Sequence, residues 1–160
     1  IFNTKGDLMK KFKAILVTEN NGEIDLSKQE IPFEDLPDGD VLIRVNYSSI
    51  NYKDGLVLNG NKGRVIRKFP MIPGIDLAGV VEDSSSDDFK KGDEVVATGS
   101  GLSEVVWGGF SEFARLDSNK VIHLPKGIDI KRSMAIGTAG FTAMLCILAL
   151  EKNGINKDKN

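Results

Sequence analysis

Residues 41–55 decide the fold, with the sequence Val-Leu-Ile-Arg-Val-Asn-Tyr-Ser-Ser-Ile-Asn-Tyr-Lys-Asp-Gly. The first ten of them are rich in β-branched and aromatic side chains and predict a long strand. The last five leave that strand in a short helix or turn. Outward from this stretch, other strand-like runs follow turn signals; they cover residues 12–17, 24–27, 75–82, 92–97, 108–116 and 121–125. Strands at this spacing, without long helices between them, indicate a β-barrel or a β-sandwich.

The connections are marked by turn-forming residues. Asn-Asn-Gly at 20–22 predicts a tight turn, and Leu-Pro-Asp-Gly-Asp at 36–40 predicts another. Residues 69–74 predict a stiff loop, because each of their two prolines fixes its own φ and restricts the residue before it.

The last part of the chain has a different pattern. Asp129 is a good helix N-cap, because its carboxylate can accept backbone N–H groups that lack a partner. Lys152 and Gly154 are typical of a helix end, so residues 129–154 predict a helix. Residues 143–150 are apolar on every face, which is typical of a helix buried on all sides. A small barrel covers only one side, so we expect more chain or a second copy to cover the rest.

Composition excludes several classes of protein. The 160 residues suit one domain, and 41% apolar with 28% charged residues excludes a globally disordered chain. The net charge of −2 excludes a general nucleic-acid binder. The single cysteine, Cys146, and the single histidine, His123, exclude a disulfide framework and Cys/His zinc sites; we expect both to pack as structural side chains. We expect no membrane span, no signal peptide and a cytoplasmic location.

Three segments could carry chemistry, and each also has a purely structural interpretation. Residues 48–54 gather an amide, a phenol, an amine and a carboxylate at a strand end, yet their Asn and Asp are also typical of a turn. Asp76 lies among apolar residues, so it has either a structural hydrogen-bond partner or a functional role. Residues 137–142 hold two glycines and two threonines, which suit close approach to a ligand or tight helix packing.

Other motifs are absent or less specific. The chain contains neither a G-x-G-x-x-G fingerprint nor a P-loop. A local basic cluster, formed by Lys62, Arg64, Arg67 and Lys68, is either solvated or suited to a phosphate-bearing ligand.

Five motifs in sequence order resemble one family. They are SSINYKDG at 48–55, RKFPMIPGIDLAG at 67–79, GDEV at 92–95, WGGFSEFA at 107–114 and AIGTAGFTAMLC at 135–146. Together they closely resemble the medium-chain dehydrogenase/reductase superfamily, in its quinone-oxidoreductase-like YhdH/AcuI branch, which includes acrylyl-CoA reductases. The resemblance runs from about Met9 to Gly154, and residues 136–146 are its most specific part.

The resemblance implies an N-terminal fragment of a longer enzyme. Its fold would be α+β, mainly β, with a GroES-like, partly open β-barrel as the catalytic or substrate domain at residues 9–128. Residues 129–154 would form a helix leading to a Rossmann domain, which we expect to be absent here. Residues 1–8 would be a tag remnant or an upstream extension, and residues 155–160 a frayed tail.

The resemblance also implies site residues. The catalytic positions would be Asn51, Tyr52, Asp54 and Asp76. The nicotinamide of NADPH would be approached by Tyr52, Thr138 and Thr142, and the substrate cleft would be walled by Met71 and Ile72. Zinc-dependent relatives have Cys in place of Asn51 and His-Glu in place of Ile75-Asp76, so we expect no bound metal.

By this resemblance the full-length protein would be an NADPH-dependent, zinc-independent reductase of α,β-unsaturated carbonyl compounds. Its small-molecule substrate would be acrylyl-CoA, another enone or a quinone, and the chain alone would be inactive. We expect a homo-oligomer that binds no nucleic acid or membrane. The alternative is a non-enzymatic GroES-like module that binds a small ligand or a protein and dimerises through its C-terminal helix.

Overall fold

The structure, a computed structural model, describes residues 11–155. The predictions made for residues 1–8 and for residues 156–160 of the tail lie outside the described residues.

Strands dominate the described part of the chain, as the sequence predicts. In chain order the elements are β1 (Lys11–Asn20), β2 (Glu23–Pro32), β3 (Val41–Ser48), α1 (Tyr52–Leu58), β4 (Asp76–Ser84), β5 (Glu94–Thr98), β6 (Phe113–Leu116), β7 (Ile122–His123) and α2 (Ile130–Lys152). Two short 3-10 helices lie at Phe33–Asp35 and Ser118–Lys120. The α+β prediction is confirmed.

A five-stranded antiparallel sheet has the order β6-β3-β4-β5-β7. The hairpin β1-β2 turns at Asn21 and Gly22, which both have positive φ, as the predicted Asn-Gly turn requires. Strand β1 is joined to the residues just before β6, since the Ile15 N–H donates to the Phe110 carbonyl at 2.9 Å and Ala14 forms an isolated bridge with Ser111. Val17 of β1 and Met71 of the proline-rich loop also exchange two backbone hydrogen bonds, each donating its N–H to the carbonyl of the other. The resulting curved wall is open between β7 and β2 within residues 11–155.

The main core lies inside this wall. It consists of side chains that alternate along the central strands, among them Val41, Ile43, Leu77, Val81, Val95 and Leu116. Two smaller clusters fill the space between the hairpin and the proline-rich loop; Ile72 belongs to one and Met71 to the other. Both clusters hold that loop against the barrel close to the start of β4.

Helix α2 is divided by Gly137. Asp129 caps its beginning as predicted, accepting the Arg132 N–H at 2.7 Å. Gly137 has a φ of 49° and a ψ of −162°, which is non-helical, so residues 138–152 form a separate helical segment. Ser133, Met134 and Gly137 are buried against the sheet, whereas the second segment is exposed. The structure therefore places a helix start, rather than a helix interior, at Thr138.

The exposure of that second segment changes the expectation for Cys146. Cys146 is an exposed free thiol instead of a core side chain, because nothing among residues 11–155 covers this part of α2. His123 is half-exposed and stacks on Phe89 with a centroid distance of 4.7 Å.

By length and composition α2 is a candidate membrane span, with a mean hydropathy of 1.9 over its most apolar window. The exposed segment from 138 to 152 has 15 residues. At 1.5 Å per residue it reaches about 22 Å, short of the roughly 30 Å hydrocarbon thickness of a bilayer.

Candidate active site

A buried carboxylate joins three segments of the chain. Asp76, the first residue of β4, is 0% exposed. Its carboxylate accepts hydrogen bonds from the Ser49 hydroxyl at 2.6 Å and from the Asn51 side-chain amide at 2.9 Å. Thr138 donates twice, with its backbone N–H at 2.9 Å and its hydroxyl at 2.6 Å. The end of β3, the start of β4 and the second segment of α2 are therefore fixed to one another.

Gly137 makes this arrangement possible. A Cβ atom added to it would lie 2.8 Å from the Asp76 carboxylate and 3.0 Å from the Ser49 hydroxyl. The positive φ also turns the Thr138 N–H toward Asp76, at a helix start where negative charge is favoured. Gly137 thus allows close packing of α2 against Asp76 and Ser49.

A second buried carboxylate, that of Asp54, positions the beginning of α1. One oxygen accepts the Asn51 backbone N–H at 2.8 Å, and the other accepts the Ile75 N–H at 3.1 Å. The side-chain amide of Asn51 lies between the two acids, 2.9 Å from Asp76 and 3.4 Å from Asp54. Burial raises the pKa of the Asp54 carboxyl, against the lowering effect of these hydrogen bonds.

Lys53 turns away from these acids and pairs with Glu104. The hydrogen bond from the Lys53 ammonium holds the pKa of the Glu104 carboxyl below its usual range, and the nearby charge of Arg67 lowers this pKa further. The pair links α1 to the loop at residues 99–106.

The exposed edge of the site is formed by Tyr52 and Thr142. The Tyr52 side chain is 85% exposed, and its hydroxyl has no hydrogen-bond partner among residues 11–155. Thr142 is exposed one turn after Thr138 and donates to the Thr138 carbonyl at 2.8 Å. Hydroxyl groups thus stand at the solvent side of a carboxylate-centred network.

Of the eight residues implied by the resemblance, five meet directly: Asn51, Asp54, Asp76, Thr138 and Thr142. Tyr52 adjoins them through the backbone, but its ring points to solvent. Met71 and Ile72 are each 1% exposed and belong to apolar clusters, and Met71 also lines a groove beside the proline-rich loop. Their place in the wall of a substrate cleft stays a prediction. Ser49 is the member that the sequence interpretation left out; the motif at 48–54 contained it, but only the fold shows its bond to Asp76.

The raised pKa of Asp54 predicts a pH dependence. Between its ordinary pKa of 3.8 and its higher folded value, the folded chain binds more protons at this carboxyl than the unfolded chain. The contribution of Asp54 to the free energy of unfolding therefore falls as pH rises through that window. Chemical unfolding of the wild type and of Asp54→Asn, measured at a series of pH values, gives this contribution by difference. A difference that rises or stays flat above pH 3.8 would contradict the assignment.

The sequence of the chain matches a known protein family and several known enzymes over these same segments. Residues 37–126 match the family model of the alcohol dehydrogenase GroES-like domain. The chain is 48% identical over 143 residues to the probable acrylyl-CoA reductase AcuI of Escherichia coli, covering 89% of this chain and 44% of that protein. It is 42% identical over 148 residues to the putative quinone oxidoreductase YhfP of Bacillus subtilis, covering 92% and 44%.

A solved structure shows the same similarity. The yhdH oxidoreductase of Salmonella enterica, in complex with NADP, superposes with a TM-score of 0.88 at 45% identity, covering 92% of this chain and 45% of that one. The chain thus spans less than half the length of these relatives. It belongs to the alcohol dehydrogenase GroES-like domain family, within the quinone-oxidoreductase-like branch of the medium-chain dehydrogenase/reductase superfamily that contains the acrylyl-CoA reductases.

Proposed function

We propose that this chain is the substrate-binding part of a cytoplasmic, NADPH-dependent reductase of α,β-unsaturated carbonyl compounds. The observation that carries the proposal is the Asp76 network, in which one buried carboxylate fixes Asn51 and Thr138 beside exposed hydroxyl groups. The named relatives are a probable acrylyl-CoA reductase and a putative quinone oxidoreductase, which supports a small, electron-poor substrate.

The residues fit the nicotinamide end of a dinucleotide. Tyr52 and Thr142 supply an exposed ring and an exposed hydroxyl next to the fixed helix start at Thr138. Such groups suit the flat ring and the carboxamide of a nicotinamide, which hydrogen-bonds through both its oxygen and its nitrogen. When bound, NADPH supplies a hydride to the β-carbon of the substrate.

Tyr52 is the group best placed to stabilise the charge that develops in this reaction. Hydride addition at the β-carbon moves negative charge onto the carbonyl oxygen, where a pre-positioned donor is worth about 3 kcal/mol. The Tyr52 hydroxyl is free to donate, whereas the Asn51 amide already donates to Asp76 and Ser49. Asn51 and Asp76 therefore position the start of α1, and with it Tyr52.

We further propose that the enzyme works without zinc. Asn51 and Ile75-Asp76 stand where zinc-dependent relatives have Cys and His-Glu. Here the Asn51 amide donates to Asp76, and Asp76 also accepts from Thr138. Within residues 11–155, no three potential ligands of the His, Cys, Asp and Glu types lie together.

Activity of the extended protein tests the proposal. We expect the protein expressed from a reading frame continuing beyond Asn160 to oxidise NADPH with a small enone, and residues 1–160 alone to be inactive.

Tyr52→Phe should lower kcat of the extended protein by about 100-fold, since it removes one oxyanion donor. Tyr47→Phe is the matched control, because Tyr47 is also exposed but lies on β3. Equal kcat values for Tyr52→Phe and the wild type would contradict the assigned role.

A binding module that dimerises through α2 is the second candidate, and the surface of α2 favours it. The large apolar side chains of its second segment are each about half exposed: Phe141, Met144, Leu145, Ile147, Leu148 and Leu150. Contiguous apolar surface of this kind marks an interface.

The same surface predicts self-association of the isolated chain. We expect sedimentation velocity to show dimers or larger species in the micromolar range, because burying these side chains gains about 25 cal/mol per Å². Leu145→Lys should shift the chain toward monomer, whereas Leu26→Lys, a similarly exposed leucine on β2, should not. A wild-type chain that remains monomeric throughout would show that α2 is not an interface.

A further inference from the structure

The orientation of Tyr52 depends on the backbone of α1, because its ring is largely surrounded by solvent. Tyr52 is the first residue of α1, a helix of only seven residues, and its side chain is 85% exposed. Val57 holds the second turn of this helix in the core, and Gly55, between the two, has no side chain that could pack. The contacts of the first turn of α1 therefore determine where the Tyr52 hydroxyl lies.

Carboxylates tie the beginning of α1 to the barrel. Asp54 accepts the backbone N–H groups of Asn51 and Ile75, and the Asn51 amide donates to Asp76. These bonds fix the point at which the helix begins. Rotation of the helix about that point depends on contacts elsewhere in its first turn.

An ion pair supplies such a contact. Lys53 directly follows Tyr52, and its ammonium donates a hydrogen bond to the Glu104 carboxylate. The Glu104 side chain is 23% exposed, so solvent ions screen this pair less than an ion pair in open water. Among residues 11–155, Glu104 is the ion-pair partner of Lys53 and no second carboxylate competes for it.

Glu104 is itself held by its own loop and by a neighbouring one. Its N–H donates to the Gly101 carbonyl at 3.1 Å, and its carbonyl accepts the Arg67 N–H at 2.9 Å. The Arg67 guanidinium also lies 3.7 Å from the Glu104 carboxylate. The two residues before Glu104, Leu102 and Ser103, are buried. An anchored loop thus presents the carboxylate to α1.

We propose that Glu104 is a positioning residue, which holds Tyr52 in place through its ion pair with Lys53. The inference rests on the proposed function, in which Tyr52 donates to the developing negative charge. Displacing a reacting group by about 1 Å can cost about 100-fold in rate, so the anchoring of a single donor has a measurable effect. The loss caused by removing Glu104 is bounded by the loss caused by removing the Tyr52 hydroxyl itself.

Kinetics of the extended protein with a small enone test the inference. Glu104→Ala and Lys53→Met should each lower kcat by about tenfold. KM should change less than about twofold, because the Tyr52 hydroxyl acts on charge that exists only in the transition state. The two substitutions combined should lower kcat no further than the slower of them alone, since they break the same contact. Lys53→Arg, which keeps the charge, should recover most of the kcat that Lys53→Met loses.

A second comparison separates positioning from a general loss of stability. In the Tyr52→Phe background, Glu104→Ala should lower kcat less than about twofold, because the group that it positions is already gone. The matched control is the ion pair of Glu82, on β4, with Lys91, at 2.7 Å. Glu82→Ala and Lys91→Met should each leave kcat within about twofold of the wild type. A tenfold loss from Glu104→Ala that persists without the Tyr52 hydroxyl would overturn the inference.

Amide hydrogen exchange in residues 1–160 provides a readout that needs no enzymatic activity. The Gly55 N–H donates to the Asn51 carbonyl at 3.1 Å in the first turn of α1. Glu104→Ala should speed the exchange of this amide by about threefold, whereas Glu82→Ala should not. An unchanged exchange rate in Glu104→Ala would show that Glu104 does not anchor α1.

The two proposals fail in different ways. If the extended wild-type protein reduces no enone, the reductase proposal fails and the role of Tyr52 fails with it, whereas the exchange rate still decides whether Glu104 anchors α1. If the wild type reduces the enone and Glu104→Ala does so with the same kcat, only the positioning role of Glu104 is wrong.

Discussion

Asp76→Ala is expected to lower the free energy of unfolding by about 3–5 kcal/mol, a large fraction of the stability of a typical domain. The change removes an acceptor that binds four donors from Ser49, Asn51 and Thr138. Each buried donor left without a partner costs about 1–3 kcal/mol, and the losses overlap because the donors are neighbours. Chemical denaturation monitored by circular dichroism measures the difference.

Asp87→Ala provides the control for this prediction. Asp87 lies in the exposed loop after β4, and its side chain makes no hydrogen bond within residues 11–155. Its replacement should change the free energy of unfolding by less than about 0.5 kcal/mol. Equal stabilities for the two variants would show that the Asp76 network does not hold the segments together.

Gly137→Ala is expected to destabilise the chain by about 2–4 kcal/mol, through two causes acting together. The residue has a positive φ with an extended ψ, a combination that is strained for alanine. The added Cβ would also lie 2.8 Å from the Asp76 carboxylate, which the network cannot easily move. The free energy of unfolding, again from chemical denaturation, measures the effect.

Gly55→Ala is the matched control, because Gly55 lies inside α1 with nothing within 4 Å of its added Cβ. It should stabilise the chain by about 0.5–1 kcal/mol, since alanine is the better helix former. Stabilisation by both substitutions would refute the kink at Gly137 and with it the placement of Thr138 beside Asp76.

Much of the fold could be predicted from local signals. The Asn-Gly turn, the N-cap at Asp129 and the strand leading to residue 48 depend on interactions within a few residues, and the structure confirms each. The break at Gly137 was not predicted, although the motif around it suggested a helix start. A glycine in a helical pattern does not reveal its ψ, which here is set by the distant carboxylate of Asp76.

The site was predicted less completely because its partners are far apart in sequence. The apolar surroundings of Asp76 indicated that it needs a partner, but its bonds to residues 27 and 62 positions away depend on the packing of β3 and α2 against β4. The link from Asp54 to the Ile75 N–H has the same origin. Met71 and Ile72 show a second limit. The same sequence pattern is typical of apolar residues in a cleft wall and in a core, and the structure places both residues in apolar clusters.

The most direct test of the central claim is the fate of a deuterium label. The extended protein would be incubated with NADPH deuterated at the transferable position and with a small α,β-unsaturated ketone, and the product examined by NMR. If the Tyr52 and Asp76 region stabilises charge on the carbonyl oxygen during hydride addition, the deuterium appears on the β-carbon and the α-carbon takes a proton from solvent. Deuterium on the carbonyl carbon, or none in the product, would contradict conjugate reduction.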